Sequence, residues 1–446
     1  MPKSKRTKAD LVISGGAILT MNSRDEILKN GSVAIKDGII VGIGPAKKIG
    51  ARFTAAQTID ADGKIIMPGL INTHTHLAMS ILRGVADDVT LDEWLNRFIF
   101  PLEEKFMNKD SVYRGSLLSC AEMILSGTTT FCDMYFFEKE TGRAAETIGM
   151  RGVIGEGIVA FGEKRGEAWE RKKKLTTELM RLFRDSKLIS VGVKPHSPYT
   201  CDKEVLMQAK EFAREMGLPY VIHLAETKKE FLDFARDKKM TPVEYLDSLG
   251  VLDENTLAAH AVWMGKKDFN ILKKRGVKIS HCPQSNMKLG SGIAPITDFL
   301  KNGITVSLGT DGSASNNALD MFRELKSAAL LASVAKLDAS AITARAALRM
   351  ATIEGAIALG KGNEIGSLEI GKKADVITLD LNKPHLTPIY DYYSHLVYAA
   401  DGSDVNDSVI DGNVVMRNRK LKKIEIEEVI NKVNSISSRV KKSLNA

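Results

Sequence analysis

The sequence predicts an α/β protein built on a (β/α)₈ barrel. Between Pro68 and about Gly366, short apolar runs alternate with longer amphipathic stretches, which is the rhythm of βα repeats. These runs number eight, one full turn of a barrel. Segments of a different, strand-rich texture bracket them at both ends of the chain.

The N-terminal segment alternates in the manner of short strands over residues 11–21, 32–36, 39–43 and 64–67. Asp37-Gly38 and Asp62-Gly63 separate these runs, and Asp-Gly between apolar runs signals a hairpin, because glycine takes the positive φ the turn needs. Lys3, Lys5, Arg6 and Lys8 before the apolar stretch 11–19 have the outline of a signal peptide. Ser14, Gly15 and Gly16 interrupt that stretch and no small-residue cleavage site follows, so it reads as a strand. The barrel strands are expected at 69–73, 129–134, 152–158, 189–194, 220–224, 256–259, 278–280 and 305–308. Among the helices, 203–216 puts Val205, Leu206, Ala209, Phe212 and Ala213 on one face, and an Ala-rich helical region covers 319–359. Strand texture returns at 374–381 and at 408–416 around Asp411-Gly412. A last helix, 426–440, carries the stripe Val429, Ile430, Val433, Ile436 and Val440 and is expected to pack on the outside.

The 446 residues suffice for about three average domains, or for one barrel of 250 or more residues with additions. A hydrophobic fraction of 44% and a charged fraction of 26% are ordinary for a globular protein. The net charge of +8 comes from scattered basic runs such as 171–174 and 420–423, without interleaved aromatics, so they read as solvated helix faces rather than a nucleic-acid surface. Cys120, Cys132, Cys201 and Cys282 form no CxxC and no close pair, which fits a reducing cytoplasm. No uncharged apolar run approaches the roughly 20 residues of a membrane span.

Chemistry concentrates at predicted strand ends. His74 and His76 follow the run Gly69-Leu-Ile, and the period of two puts both on one face, where they can share a cation. His223 ends another run and Glu226 follows three residues later; His260 ends a third, and Asp311 follows a fourth. Barrel enzymes place their chemistry at this C-terminal rim. Three imidazoles and a carboxylate suit zinc, or iron or manganese. A cation held there would lower the pKa of a bound water from 15.7 toward about 7, which makes hydrolysis the natural reaction. Glu226 stands where it can shuttle a proton, and His260 where it can orient the nucleophile or stabilise developing charge.

These residues resemble the amidohydrolase superfamily, and within it the 5′-methylthioadenosine/S-adenosylhomocysteine deaminases. The matching text is Met67-Pro-Gly-Leu-Ile-Asn-Thr-His-Thr-His76, Pro101-Leu-Glu103, Pro195-His-Ser-Pro198, His223-Leu-Ala-Glu226, Ala259-His260, Ser280-His-Cys-Pro283 with Ser285-Asn286, and Gly309-Thr-Asp-Gly312 with Ser315-Asn-Asn317. It spans about residues 10–418.

The resemblance implies a barrel over 67–367, a composite β-sandwich from 1–66 and 368–420, and a C-terminal helix in 421–446. It implies one divalent metal per subunit held by His74, His76, His223 and Asp311, with Asp311 also accepting a proton from the attacking water. Glu226 would protonate the ring nitrogen beside the attacked carbon, and ammonia would leave the purine C6. Glu103, which by itself reads as a solvated helix residue in Glu103-Glu104-Lys105, would accept hydrogen bonds from ribose hydroxyls, and His196 would contact the nucleoside. The arginine that relatives use for a substrate carboxylate has no clear counterpart, with Arg165 in the neighbourhood. Relatives are commonly homo-oligomers, and the only other partner implied is a small nucleoside.

Lys194 would be the carbamylated bridge of a two-metal site, but the surrounding motif resembles the single-metal branch. His281 reads as a histidine bonded within the core. Trp94 and Phe98, four apart on a predicted helix, suit either a pocket wall or ordinary packing. His385 and His395 have no partner by pattern. The HxE with PCxxC of small cytidine deaminases is absent, as is a GxxxxGK[ST] phosphate loop. Two other functions fit the same text: an amidohydrolase for guanine, a triazine or another aromatic amine or halide, and a barrel that has lost catalysis and serves as a scaffold.

Overall fold

The computed structural model describes residues 6–160 and 167–444; Arg165 lies outside them. Eight parallel strands form the barrel: Leu70–Thr75, Thr128–Asp133, Arg151–Ile154 continued by Gly157–Ile158, Ile189–Val191 continued by Lys194–Pro195, Tyr220–Leu224, Thr256–His260, Lys278–His281 and Val306–Leu308. Each pairs with the next, the fourth reaching the fifth through Val193 and Tyr220. Hydrogen bonds link the residues just after the eighth strand back to the first. Asn72 Nδ2 donates to Thr310 Oγ1 at 2.7 Å, Thr310 N–H returns a bond to Asn72 Oδ1 at 3.0 Å, and Asp311 N–H donates to the His74 carbonyl at 2.9 Å. Every residue of the first, second, fifth and sixth strands is buried, as expected of a parallel sheet with helices outside and side chains within.

The third and fourth strands are each broken in two, where the sequence reads as single runs. A Cβ on Gly155 would lie 2.4 Å from the Gly192 carbonyl oxygen, so the two backbones pass too closely there to keep a regular ladder.

Helix Lys203–Met216 has the expected bounds and buries the expected face; Asp202 caps it by accepting from Val205 N–H. The region 319–359 resolves into Met321–Lys336, Ala344–Met350 and Ile353–Ala358, interrupted where Leu337 turns left-handed and Thr343 starts a new cap. The C-terminal helix Ile426–Leu444 packs on helix Lys109–Leu125 through Val429, Val433, Ile436 and Val440. Ile430, expected on the same stripe, is 41% exposed.

The two ends of the chain share one nine-stranded sheet. Thr7–Leu19, Ile27–Lys36, Ile39–Pro45, Phe53–Asp60 and Lys64–Pro68 come from the N-terminal side, and Val376–Asp380, Val405–Ile410, Asn413–Arg417 and Lys420–Leu421 from the C-terminal side. The halves join where Lys64–Pro68 pairs antiparallel with Val376–Asp380. Leu11, Ile13 and Val33 pack with Val376 and Val409 in a core separate from the barrel's. Asp37-Gly38 and Asp411-Gly412 make the expected tight hairpins with both residues at positive φ. Their tips abut, since a Cβ on Gly412 would lie 2.6 Å from Gly38 Cα. Asp62-Gly63 makes no hairpin, contrary to expectation. Phe53–Asp60, which the sequence pattern missed, and Lys64–Pro68 both run parallel to successive stretches of Thr7–Leu19, so they cannot pair with each other.

Arg151, at the start of the third barrel strand and 2% exposed, ties this sheet to the barrel. It donates to both carboxylate oxygens of Asp375, at 2.7 and 3.0 Å, and to Asp411 at 3.1 Å. Arg151→Met keeps the bulk but leaves Asp375 buried without a countercharge. It should cost about 3–5 kcal/mol of stability, read as a lower urea midpoint. Adding Asp375→Asn should recover part of the loss.

Candidate metal centre and its cavity

His74 lies within the first barrel strand and His76 one residue beyond it, so the strand period aims both to one side. His223 comes from the fifth strand and His260 from the end of the sixth, while Asp311 follows the eighth. The ring of His74 is 4.9 Å from His76, 4.7 Å from His223 and 5.4 Å from His260, centroid to centroid. His74 Nε2 is 3.1 Å from His223 Nε2 and 3.5 Å from Asp311 Oδ1, and His76 Nε2 is 3.2 Å from the same oxygen.

The other ring nitrogens fix which atoms point inward. His76 Nδ1 donates to the Met134 carbonyl, and His223 Nδ1 to the His196 carbonyl at 2.7 Å. Both therefore turn Nε2 toward the centre. His74 Nε2 and His223 Nε2 face each other at 3.1 Å, an approach that a shared proton or a cation between them satisfies. Ligand atoms of His74, His76 and His223 all lie within 4.8 Å of one another, as do those of His74, His260 and Asp311, so the cluster offers a cation more than one set of ligands.

Burial holds His74 down to about 3, and holds His223 well below the usual imidazole range, reinforced by the other histidines. These rings are therefore neutral and free to bind a cation. Burial also pulls His76 down, but the Asp311 carboxylate outweighs it and holds the ring up at about 9. Asp311, despite its burial, is kept well below the usual carboxylate range by hydrogen bonds from His74 and His76. Its Oδ2 accepts from Ser285 Oγ at 2.6 Å and Ser315 Oγ at 2.8 Å, which turns Oδ1 toward the histidines.

Glu226 and His260 stand beside this cluster, 3.8 Å apart. Burial raises the Glu226 carboxyl, and His260 Nδ1 meets Asn286 Oδ1 at 3.0 Å. One cavity is lined by His76, His223, Glu226, His260 and Asp311 and also by His196, Glu103, Trp94, Leu95 and Phe136. Glu103 sits on helix Phe100–Phe106, only 9% exposed, and accepts a hydrogen bond from the Tyr135 hydroxyl. It is thus no solvated helix residue. His196 Nδ1 bonds Thr200 Oγ1 at 2.9 Å, and burial lowers the ring to about 4. Trp94 walls the cavity, and Phe98 packs behind it.

Lys194 turns into the barrel wall, donating to the Asp133 carbonyl and, at 2.7 Å, to that of Val153. His281 is in the core, but neither ring nitrogen has a partner among the described residues, so the expected core hydrogen bond is missing. His385 and His395 do have partners: Asp404 at 3.0 Å for the first, the Asp391 and Pro388 carbonyls for the second. Of the residues that bond to the groups of the site, Ser285, Asn286 and Ser315 stand in the text that resembles the family but had no role assigned there, and Tyr135 and Glu230 were not singled out. Only Glu230 carried a local signal, as the fourth residue of the capping pattern Thr227-Lys-Lys-Glu230.

Burial pushes the Glu103 carboxyl from 4.5 up to about 7, against the opposing pull of Tyr135 and His76. Between those values the folded chain keeps a proton that the unfolded chain has lost, so this residue's contribution to stability falls as pH rises through the window. Glu103→Gln should therefore gain on the parent between pH 4.5 and pH 7, measured as urea midpoints. A gap between the two proteins that does not change with pH would contradict the shift.

Comparison with known proteins places the chain. Residues 65–415 match the family model described as the amidohydrolase family. The 5-methylthioadenosine/S-adenosylhomocysteine deaminase of Syntrophobacter fumaroxidans is 44% identical over 435 residues, covering 98% of this chain and 99% of that protein. The 5′-deoxyadenosine deaminase of Methanosarcina acetivorans is 44% identical over 439 residues, 98% of this chain and 100% of that one. Among solved structures, an adenosine deaminase from Xanthomonas campestris with bound zinc superposes with a TM-score of 0.95 at 34% identity, covering 98% and 100% of the two chains. With its barrel, its rim of histidines and this match along nearly its whole length, the chain belongs to the amidohydrolase family.

Proposed function

We propose that this protein is a metal-dependent deaminase of 5′-substituted adenosines, converting 5′-methylthioadenosine, S-adenosylhomocysteine or 5′-deoxyadenosine, with water, into the inosine derivative and ammonia. Relatives bearing those names support the substrate class. The observation that carries the nucleoside reading is Glu103, a buried carboxylate facing the same cavity as His196 and Glu226. A carboxylate there suits the two hydroxyls of a ribose, which a free purine or a triazine lacks.

We take His74, His76, His223 and Asp311 to hold one divalent cation, zinc by preference, with iron or manganese as alternatives. When bound, such a cation supplies a water acidic enough to ionise near neutral pH. Asp311 accepts a proton from the attacking water. Glu226, its carboxyl raised by burial, brings a proton to the ring nitrogen next to C6, so that adding oxygen to the ring builds up no uncompensated charge. His260, steadied by Asn286, supports the oxygen as it bonds to C6. The proton held by Asp311 then passes to the amino group, the C6–N bond breaks to release ammonia, and the added hydroxyl returns its proton to Glu226 as the C6 carbonyl forms.

Purified protein should release ammonia from at least one of the three adenosines; silence with all three ends this reading. Glu103→Ala should lower kcat/KM by about 10- to 100-fold, as expected for a lost hydrogen bond to a charged group. An enzyme for guanine or triazines would be indifferent to that change. Removing metal with a chelator should abolish turnover, and adding zinc back should restore it, with elemental analysis giving one ion per subunit. His223→Ala should lose the ion.

A further inference from the structure

We propose that Glu230 is a positioning residue for the reaction: its carboxylate clamps the backbone on which Glu226 is mounted and, through it, the loop that carries His260. This rests on Glu226 being the proton carrier, as argued above. Glu230 is 6% exposed and touches the chain just after the fifth strand. Its Oε1 accepts from Ala225 N–H at 3.0 Å and its Oε2 from Glu226 N–H at 2.9 Å. It stands in the first turn of helix Lys228–Asp237, where its own N–H donates to Thr227 Oγ1 at 3.1 Å. A capping glutamate ordinarily reaches back to the N-cap N–H. This one reaches past Thr227 to the two peptides before it.

The clamped peptide is strained. Ala225 has φ +48, a left-handed conformation that alanine rarely adopts and that persists only where its surroundings impose it. Two sets of bonds impose it here. Glu230 holds the N–H side, while the Ala225 carbonyl accepts from Val262 N–H at 3.0 Å and Trp263 N–H at 2.9 Å. Ala261 N–H completes the link to the Leu224 carbonyl at 3.0 Å. His260 and Ala261 are themselves left-handed, at φ +70 and +48. The two strand-end turns that present Glu226 and His260 to the cavity therefore lean on each other, and Glu230 grips the first of them from the helix side.

Glutamine has nearly the same volume but one acceptor oxygen and one donor group, so Glu230→Gln leaves one of the two N–H groups facing another donor. Turnover should be measured with whichever adenosine the parent deaminates, and backbone amide exchange in segments 223–227 and 260–263. Glu230→Gln is expected to lower kcat by about 10²-fold, the scale of a misaligned catalytic group, with KM near the parent's and bound metal unchanged. Exchange should quicken in both segments together.

Glu230→Asp keeps both carboxyl oxygens but cannot reach both N–H groups; it should show a weaker loss and serves if the glutamine variant does not fold. Glu244→Gln is the control, because Glu244 Oε2 makes the same kind of bond, 3.0 Å to Thr241 N–H, at the start of helix Pro242–Ser248. Its amide oxygen can still take that single bond, so this variant should leave both thermal stability and kcat close to the parent's. An unchanged kcat in the position-230 variants, or exchange in 260–263 matching the parent's, overturns the proposal. If the parent deaminates no adenosine, the functional reading falls, while the exchange data still decide whether the clamp exists.

Discussion

Three imidazole nitrogens and a carboxylate oxygen are gathered away from water with approaches of 3.1 to 3.5 Å, which is tenable only where protons or a cation are shared among them. Much of the barrel's upper rim serves this constraint. Backbone carbonyls of Met134 and His196 take the outer protons of His76 and His223, which turns their Nε2 atoms toward the centre. Serine hydroxyls occupy one oxygen of Asp311 and leave the other for the centre. The burial that makes this polar cluster costly also keeps His74 and His223 unprotonated, so electrostatics and desolvation push toward the same state.

Delivering these groups to one point requires the chain to turn sharply at strand ends, and it does so with strained backbone. Ala225, His260, Ala261 and Asp311 all have positive φ, although none is glycine. Each turn is held from more than one side, by hydrogen bonds between neighbouring loops and by side chains such as Glu230 and Asn316. Stability elsewhere supports this local strain, as expected where function needs a geometry the free backbone avoids.

The composite sheet bears on the site from below. Its central antiparallel pair joins the strand that leads into the first barrel strand, so the peptide entering the His74 and His76 segment is fixed at both ends. Arg151 repeats the connection at the third strand through Asp375 and Asp411. Two cores, one inside the sheet and one around the barrel, thus meet across a buried ion pair and continuous backbone hydrogen bonds.

What the sequence determined by itself is what period and turn chemistry encode locally. The eight strands, the hairpins at Asp37-Gly38 and Asp411-Gly412, the helix at 203–216 and the rim position of His74, His76, His223, His260 and Asp311 could all be read from short windows, because each depends on residues within a few positions. The tertiary structure decided whatever depends on a distant partner. Asp62-Gly63 has the text of a hairpin, but both flanking strands are claimed by Thr7–Leu19. Glu103 has the text of a solvated helix face, but Tyr135 and the cavity bury it. Ser285, Asn286 and Ser315 gain their roles only where loops after different strands come together, and a short polar side chain in a loop carries no mark of what it will face. Local preference is written in neighbours along the chain, whereas burial, hydrogen-bond partners and charge are set by neighbours in space.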